Sequence, residues 1–165
     1  MPITLAELLE SRDKRVEHQK DLLGANPGKS LLCLTVQLPG PEKRNDTSLK
    51  IANAGVEAIR ETFSPEYEEL RDLETGYEGY FLVSLPAPQA KKLACQIEDT
   101  HPLGRLMDID VLTSALCLSR SDIGLEPRKC LLCGNEVRYC MRAKTHTTAQ
   151  LLVRIEEMVK ECSDC

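Results

Sequence analysis

The chain has 165 residues, 42% hydrophobic and 4% aromatic with no Trp, and 21 Lys plus Arg stand against 26 Asp plus Glu for a net charge of −5. That apolar content supports a single domain over residues 1–165 with a real core. The acidic balance and scarce aromatics argue against a nucleic-acid partner, whose footprint is basic and whose bases need stacking platforms.

The start, Met1-Pro2-Ile3-Thr4, has no basic region followed by an apolar run, so a cytoplasmic protein is expected. No stretch approaches the roughly 18 apolar residues of a membrane span, so no membrane partner is expected either. Thr4 and Glu7 are spaced as a capping box, and Leu5, Leu8, Leu9, Arg12, Val16 and Leu23 share one face of a helix over residues 4–23. Gly24-Ala25-Asn26-Pro27-Gly28 stops it, and residues 30–38 read as a buried strand. Asn45 or Asp46 caps a second helix with Leu49, Ala52, Val56 and Ile59 on one face. Strands are expected at 67–73 and 80–85. Pro86 and Pro88 open a helix with Ala90, Leu93, Ala94 and Ile97 inward. Gly104 precedes a strand over 105–112, and Leu116-Cys117-Leu118 completes a hairpin. Residues 120–146 show little periodicity and read as a basic, Cys-rich loop, after which Thr147 or Thr148 caps a last helix carrying Leu151, Leu152, Ile155 and Val159. The interleaving gives an α+β fold: one mixed or mostly antiparallel sheet covered by helices, with residues 119–165 as an appendage.

Three segments invite a chemical reading. Gly24 to Ser30 imitates a phosphate-binding loop, but it has three residues between Gly24 and Gly28-Lys29-Ser30 where four are needed. It also follows a helix and precedes a strand, the reverse of the order that aims backbone N–H groups at an anion. It reads as a helix stop and a turn.

The second segment is His101-Pro102-Leu103-Gly104-Arg105-Leu106-Met107-Asp108-Ile109-Asp110-Val111. Alternate side chains of a strand share a face, which puts the Asp108 and Asp110 Cβ atoms roughly 6.6 Å apart. Carboxylates so placed can converge on divalent cations that steady a phosphoryl displacement. The plain alternative is an edge strand with both carboxylates in water, but Asp is disfavoured in strands and two of them ask for a reason. Arg105 offers a planar cationic fork for phosphate, Gly104 permits close approach of a ligand, and His101 is a candidate base.

The third is Cys130-x₂-Cys133-x₆-Cys140-x₅-His146, four candidate zinc ligands within seventeen residues. A tight Cys-x₂-Cys pair and a Cys₃His shell suit tetrahedral Zn²⁺ in a structural role, against the alternative of reduced thiols in a basic loop. Cys162-x₂-Cys165 sits at the C-terminal end and reads as incidental. Arg120, Arg128, Lys129, Arg138, Arg142 and Lys144 make this region locally basic and suited to phosphates or an acidic partner protein.

The run His101 to Val111 resembles the signature of the apo-citrate lyase phosphoribosyl-dephospho-CoA transferase family, also called holo-citrate lyase synthase. Ser119-Arg120, Pro127-Arg128-Lys129-Cys130-Leu131-Leu132-Cys133, Cys140-x-Arg142 and His146 match downstream. Ser11-Arg12-Asp13-Lys14-Arg15, Pro39-Gly40-Pro41 with Lys43, and Asn53-x-Gly55 match upstream, so the resemblance covers nearly the whole chain in order. Met107 stands where the family commonly has an aromatic and Val137 where it has Ala, both apolar replacements.

The resemblance implies a nucleotidyltransferase. Its donor would be 2′-(5″-triphosphoribosyl)-3′-dephospho-CoA, its acceptor a serine of the citrate lyase acyl carrier (gamma) subunit, and its leaving group pyrophosphate. Residue chemistry, not the resemblance, assigns the roles for such a reaction: Asp108 and Asp110 would hold Mg²⁺, Arg105 with Arg12, Arg15 or Lys43 would neutralise pyrophosphate, and the loop with Arg128 and Arg142 would take dephospho-CoA or the carrier. Two alternatives remain: a zinc-stabilised adaptor for an acidic carrier, which keeps the Cys cluster and basic loop but leaves the Asp pair idle, or the same chemistry on another carrier such as that of malonate decarboxylase.

Overall fold

The computed structural model describes residues 2–162. Its helices are α1 (Leu5–Ala25), α2 (Asp46–Phe63), α3 (Ala87–Thr100), α4 (Val137–Ala143) and α5 (Thr148–Glu161). Its strands are β1 (Ser30–Val36), β2 (Tyr67–Leu73), β3 (Gly76–Val83), β4 (Met107–Leu112) and β5 (Cys117–Leu118). They form one sheet in the order β2-β3-β1-β4-β5, and every pairing is antiparallel. The α+β class holds, with no parallel pair among the described strands.

β1 is central because it is apolar on both faces. Leu32 and Leu34 point to one side with Phe81, Val83, Ile109 and Val111, where α2, α3 and α5 close the main core. Leu31 and Cys33 point to the other side with Tyr80 and Leu82, beneath α1 and its Leu23. The α2 helix lies close on β1: a Cβ on Gly55 would come within 2.9 Å of Leu34 Cδ2. Capping boxes start three helices, from Thr4, Asn45 and Thr147, each satisfying otherwise orphaned N–H groups.

β4 is held at both edges, by different means. Along one edge it pairs with β1; along the other, β5 reaches only Val111 and Leu112. Further back, side chains replace the missing strand. Glu98 Oε1 accepts the Ile109 N–H at 2.9 Å, Lys91 Nζ donates to the Ile109 carbonyl at 3.3 Å, and Arg128 Nη2 donates to the Met107 carbonyl at 2.9 Å. Glu98 also accepts from Arg120 at 2.7 Å. Buried backbone groups need such partners, and an open strand edge would otherwise invite another chain.

Four expectations need correcting. β3 begins at Gly76, not residue 80, because Tyr77, Glu78 and Gly79 pair with β2 and β1 despite their polar look. β4 begins at Met107, not residue 105: Gly104–Leu106 form a 3-10 turn. There a Cβ on Gly104 would lie 2.3 Å from the Ile97 carbonyl oxygen, so this glycine serves packing against α3. The loop 120–146 contains α4, whose only buried residue is Cys140, which leaves no apolar period to read. Finally, the apolar face of α1 is not buried along its length. Leu5, Leu9 and Val16 are exposed, and only Gln19 and Leu23 are buried. The segment 24–30 is the expected stop and turn, with Gly28 at φ +81° and Lys29 paired to Glu66 at 2.5 Å. Cys165 lies outside the described residues.

Candidate active site

Along β4, Met107, Ile109 and Val111 are buried while Asp108 and Asp110 alternate with them on the opposite face, under α1. The strand register extends this row across the sheet. Asp108 pairs with Thr35, which pairs in turn with Glu78, and Asp110 pairs with Cys33, which pairs with Tyr80. Above the row, α1 supplies Arg12 and Arg15, three positions apart and so on one helical face. Lys43 enters from the loop before α2. Arg12, Arg15, Lys43, Glu78, Asp108 and Asp110, with Thr35, Gln37 and Thr75, line a cleft of about 420 Å³.

The cleft holds opposed charges in reach of one another. Gln37 Nε2 donates to Asp108 Oδ2 at 3.0 Å. Arg15 Nε lies 3.8 Å from Glu78 Oε1, and the Tyr80 hydroxyl donates to Glu78 Oε2 at 2.5 Å. Lys43 Nζ donates to the Leu38 carbonyl at 2.5 Å. Burial, and then the charge of Asp108, pushes Asp110 up to about 6. Burial, and then the Arg12 guanidinium, holds Lys43 below the usual ammonium range. Burial takes the Cys33 thiol up to about 12, against a hydrogen bond from Gln19. Asp110 therefore wants a cation and Lys43 an anion. Hard carboxylate oxygens suit Mg²⁺, and a fixed guanidinium suits phosphate.

Asp108, Asp110, Arg12, Arg15 and Lys43 are thus brought together. The other residues singled out in the sequence are elsewhere. His101 ends α3, with Nδ1 accepting the Leu103 N–H at 3.0 Å. Arg105 turns away to donate to the Lys129 carbonyl. Arg128 does not line the cleft but reaches its edge: it donates to the Gly104, Arg105 and Met107 carbonyls, with Nη1 3.9 Å from Asp108 Oδ1. Arg142 is exposed on α4. Glu78, Gln37 and Thr35 were missed, because no motif marks them and only strand register carries them into the cleft.

The second cluster is Cys130, Cys133, Cys140 and His146, whose donor atoms all lie within 4.8 Å of one another. The Leu132 N–H points at Cys130 Sγ at 3.5 Å, and Cys133 Sγ lies 3.4 Å from Cys140 Sγ. Lys144 takes a left-handed turn at φ 50° after α4, and His146 follows it into the cluster. His146 Nε2 is buried with no hydrogen-bond partner among the described residues. A buried ring nitrogen without a hydrogen-bond partner beside three thiols is the donor set that tetrahedral Zn²⁺ takes. This Cys₃His cluster can hold a metal such as zinc.

Fold and cleft together give an α+β protein in which paired carboxylates on one face of the sheet lie beneath the guanidinium and ammonium groups of α1 and the loop before α2. The family described as apo-citrate lyase phosphoribosyl-dephospho-CoA transferase matches residues 3–162. Proteins of that name from Escherichia coli O1:K1 and Shigella boydii serotype 18 are each 37% identical over 169 residues, covering 99% of this chain and 92% of their own. The chain belongs to the apo-citrate lyase phosphoribosyl-dephospho-CoA transferase family. No helix among the described residues is long and apolar enough to cross a membrane.

Proposed function

We propose that this protein transfers the phosphoribosyl-dephospho-CoA group from 2′-(5″-triphosphoribosyl)-3′-dephospho-CoA to a serine hydroxyl of the citrate lyase acyl carrier subunit, in the cytoplasm. The observation that carries the reading is the cleft itself, with Asp108 and Asp110 on its floor and Arg12, Arg15 and Lys43 around it. The serine oxygen bonds to the α-phosphorus, the bond from that phosphorus to the β-phosphate's bridging oxygen breaks, and pyrophosphate leaves. The serine proton passes to solvent. Phosphoryl transfer of this kind needs alignment and charge neutralisation more than covalent help from the protein.

Asp108 and Asp110 would hold Mg²⁺, which when bound supplies charge neutralisation at the triphosphate oxygens. Gln37 fixes the Asp108 carboxylate by its hydrogen bond. Arg12 and Arg15 bind the β- and γ-phosphates through their forked donors, and Lys43 adds a point charge. Glu78 holds Arg15 over the cleft. Cys130, Cys133, Cys140 and His146 would hold a structural Zn²⁺. Exposed Lys129, Arg138, Arg142 and Lys144 beside it offer a basic surface to the carrier.

The test is the intact mass of purified apo carrier subunit after incubation with this protein, Mg²⁺ and triphosphoribosyl-dephospho-CoA. A gain equal to phosphoribosyl-dephospho-CoA, lost with folded Asp108→Asn, supports the reading. Normal transfer by folded Asp108→Asn or Asp110→Asn would refute the cation role of the pair. No gain with wild-type protein and a competent carrier would refute the citrate lyase assignment.

A further inference from the structure

Between residues 119 and 146 only Cys130 and Cys140 are buried, and both are members of the metal cluster. This segment has no hydrophobic core of its own, and a short segment without one needs a staple. Its stem, however, is tied. Val137 N–H donates to the Arg128 carbonyl at 2.9 Å, Cys130 N–H to the Asn135 carbonyl at 2.7 Å, and Lys129 bridges to Glu136. The segment from Arg128 to Val137 is therefore a closed loop with Cys130 in its stem and Cys133 at its tip, and Cys140 and His146 follow it in sequence.

Arg128, two residues before the first cysteine, points away from solvent and into the start of β4. Its Nη2 donates to the carbonyls of Gly104 at 3.3 Å, Arg105 at 3.0 Å and Met107 at 2.9 Å. Its Nη1 lies 3.9 Å from Asp108 Oδ1 and 4.0 Å from Glu98 Oε1. Arg105 returns the contact by donating to the Lys129 carbonyl. One guanidinium thus gathers three carbonyls of the turn that launches β4, beside the first carboxylate of the pair. Its reach depends on where the loop stem sits.

We propose that Arg128 is a positioning residue that joins the two sites: the metal-loaded Cys₃His loop holds its guanidinium against the start of β4 and so sets the Asp108 carboxylate for cation binding. This rests on the readings that the cluster takes Zn²⁺ and that Asp108 holds Mg²⁺. Arg128 touches neither substrate nor cation; it acts through the turn at residues 104–107 and through Asp108. Groups that orient a metal-binding side chain in this way change metal affinity about 10–100-fold when removed.

The experiment compares untreated wild type, chelator-stripped wild type, the stripped protein restored with Zn²⁺, Arg128→Met and Arg128→Lys. Zinc is counted by elemental analysis, folding is followed by circular dichroism, and Mn²⁺ binding in the presence of pyrophosphate is measured by electron paramagnetic resonance. Stripping is expected to weaken Mn²⁺ binding about tenfold or more, with Zn²⁺ restoring it. Arg128→Met keeps its zinc yet shows the same weakening, and stripping it adds nothing further, because both changes break one link. Arg128→Lys falls between, since an ammonium can reach the carbonyls held by Nη2 but lacks the second arm that lies beside Asp108 and Glu98. In the transfer assay the loss appears in kcat and in the Mg²⁺ requirement, not in KM for the carrier.

A role confined to stability would reduce the bound fraction and leave the Mn²⁺ affinity of the remainder unchanged, which overturns the proposal. So does unchanged affinity in the stripped wild type, an additive effect in stripped Arg128→Met, or tighter Mn²⁺ binding on loss of the guanidinium charge. Stripping requires no substitution, so it decides the question even if Arg128→Met does not fold. Protein purified without zinc that still transfers the group overturns the coupling and the zinc reading together, and leaves the transfer reading standing. Absence of Mn²⁺ binding in untreated protein overturns the proposal along with the Mg²⁺ reading.

Discussion

Replacing Asp110 by Asn removes a charge that the folded protein holds at a cost. Asp110 rises from its ordinary 3.8 to about 6, through burial first and Asp108 second. A shift of about two pKa units corresponds to about 3 kcal/mol between the protonation states. The sign follows from linkage. The folded protein binds this proton more tightly than the unfolded chain, so its relative stability is greatest below pH 3.8, falls as pH rises towards 6, and stays reduced above that. Asn cannot ionise and escapes this net penalty, in which the attraction of Lys91 and Arg15 is already counted. Asp110→Asn should therefore be about 3 kcal/mol more stable than wild type at pH 7.5, with the difference shrinking on acidification to pH 4.5. Urea unfolding at both pH values measures this, and the variant should be inactive in carrier modification. Millimolar Mg²⁺ should stabilise wild type and leave the variant unchanged, since a bound cation offsets the repulsion between the two aspartates. Equal stability at pH 7.5, or a difference that widens on acidification, would refute the reasoning.

Glu98→Ala should destabilise the protein by about 3–5 kcal/mol in urea unfolding, because it strips a buried carboxylate from Arg120 and from the Ile109 N–H. Gly104→Ala should cost about 2–3 kcal/mol, since its Cβ would meet the carbonyl oxygens of Ile97 at 2.3 Å and Glu98 at 2.5 Å; an unchanged midpoint would show that the turn relaxes freely. The Cys33 thiol, pushed up to about 12 by burial, should resist alkylation at pH 8 in the folded protein while exposed Cys117 reacts. Peptide mapping after labelling with and without denaturant distinguishes the two. Thr4→Ala should loosen the start of α1 by about 1 kcal/mol, read as faster amide exchange near Glu7.

Where apolar residues repeat and burial follows the repeat, sequence and structure agree closely. The run at β1, the face of α2 and the last helix with its Thr147 cap are of this kind. The alternation around Asp108 and Asp110 also carries through, because Met107, Ile109 and Val111 are anchored in the core. Disagreement arises where a segment answers to something other than a hydrophobic period. α4 is gathered around thiols, and β3 carries Glu78 inward because strand register places it there. The exposed Leu5, Leu9 and Val16 belong to a helix whose C-terminal part alone is buried. Arg105 and Arg128 have the right chemistry for phosphate, yet backbone carbonyls of the Lys129 stem and of the start of β4 claim them first. Spacing shows which chemistry a residue can perform, and only the fold shows which partner it has.

The pairing of β1 with β4 also has a kinetic consequence. Leu31 faces Leu112 across that ladder, about 80 positions further along, whereas β2 and β3 form a tight hairpin. Closing the long loop costs more chain entropy than closing the hairpin, and non-local strand pairing slows folding. The β2–β3 hairpin can therefore form early, but the surface bearing Asp108 and Asp110 cannot exist until the most distant strands meet. Activity regained after dilution from denaturant should then track the slowest structural phase. Substitutions that weaken the β1–β4 ladder should delay the return of function more than those within the hairpin.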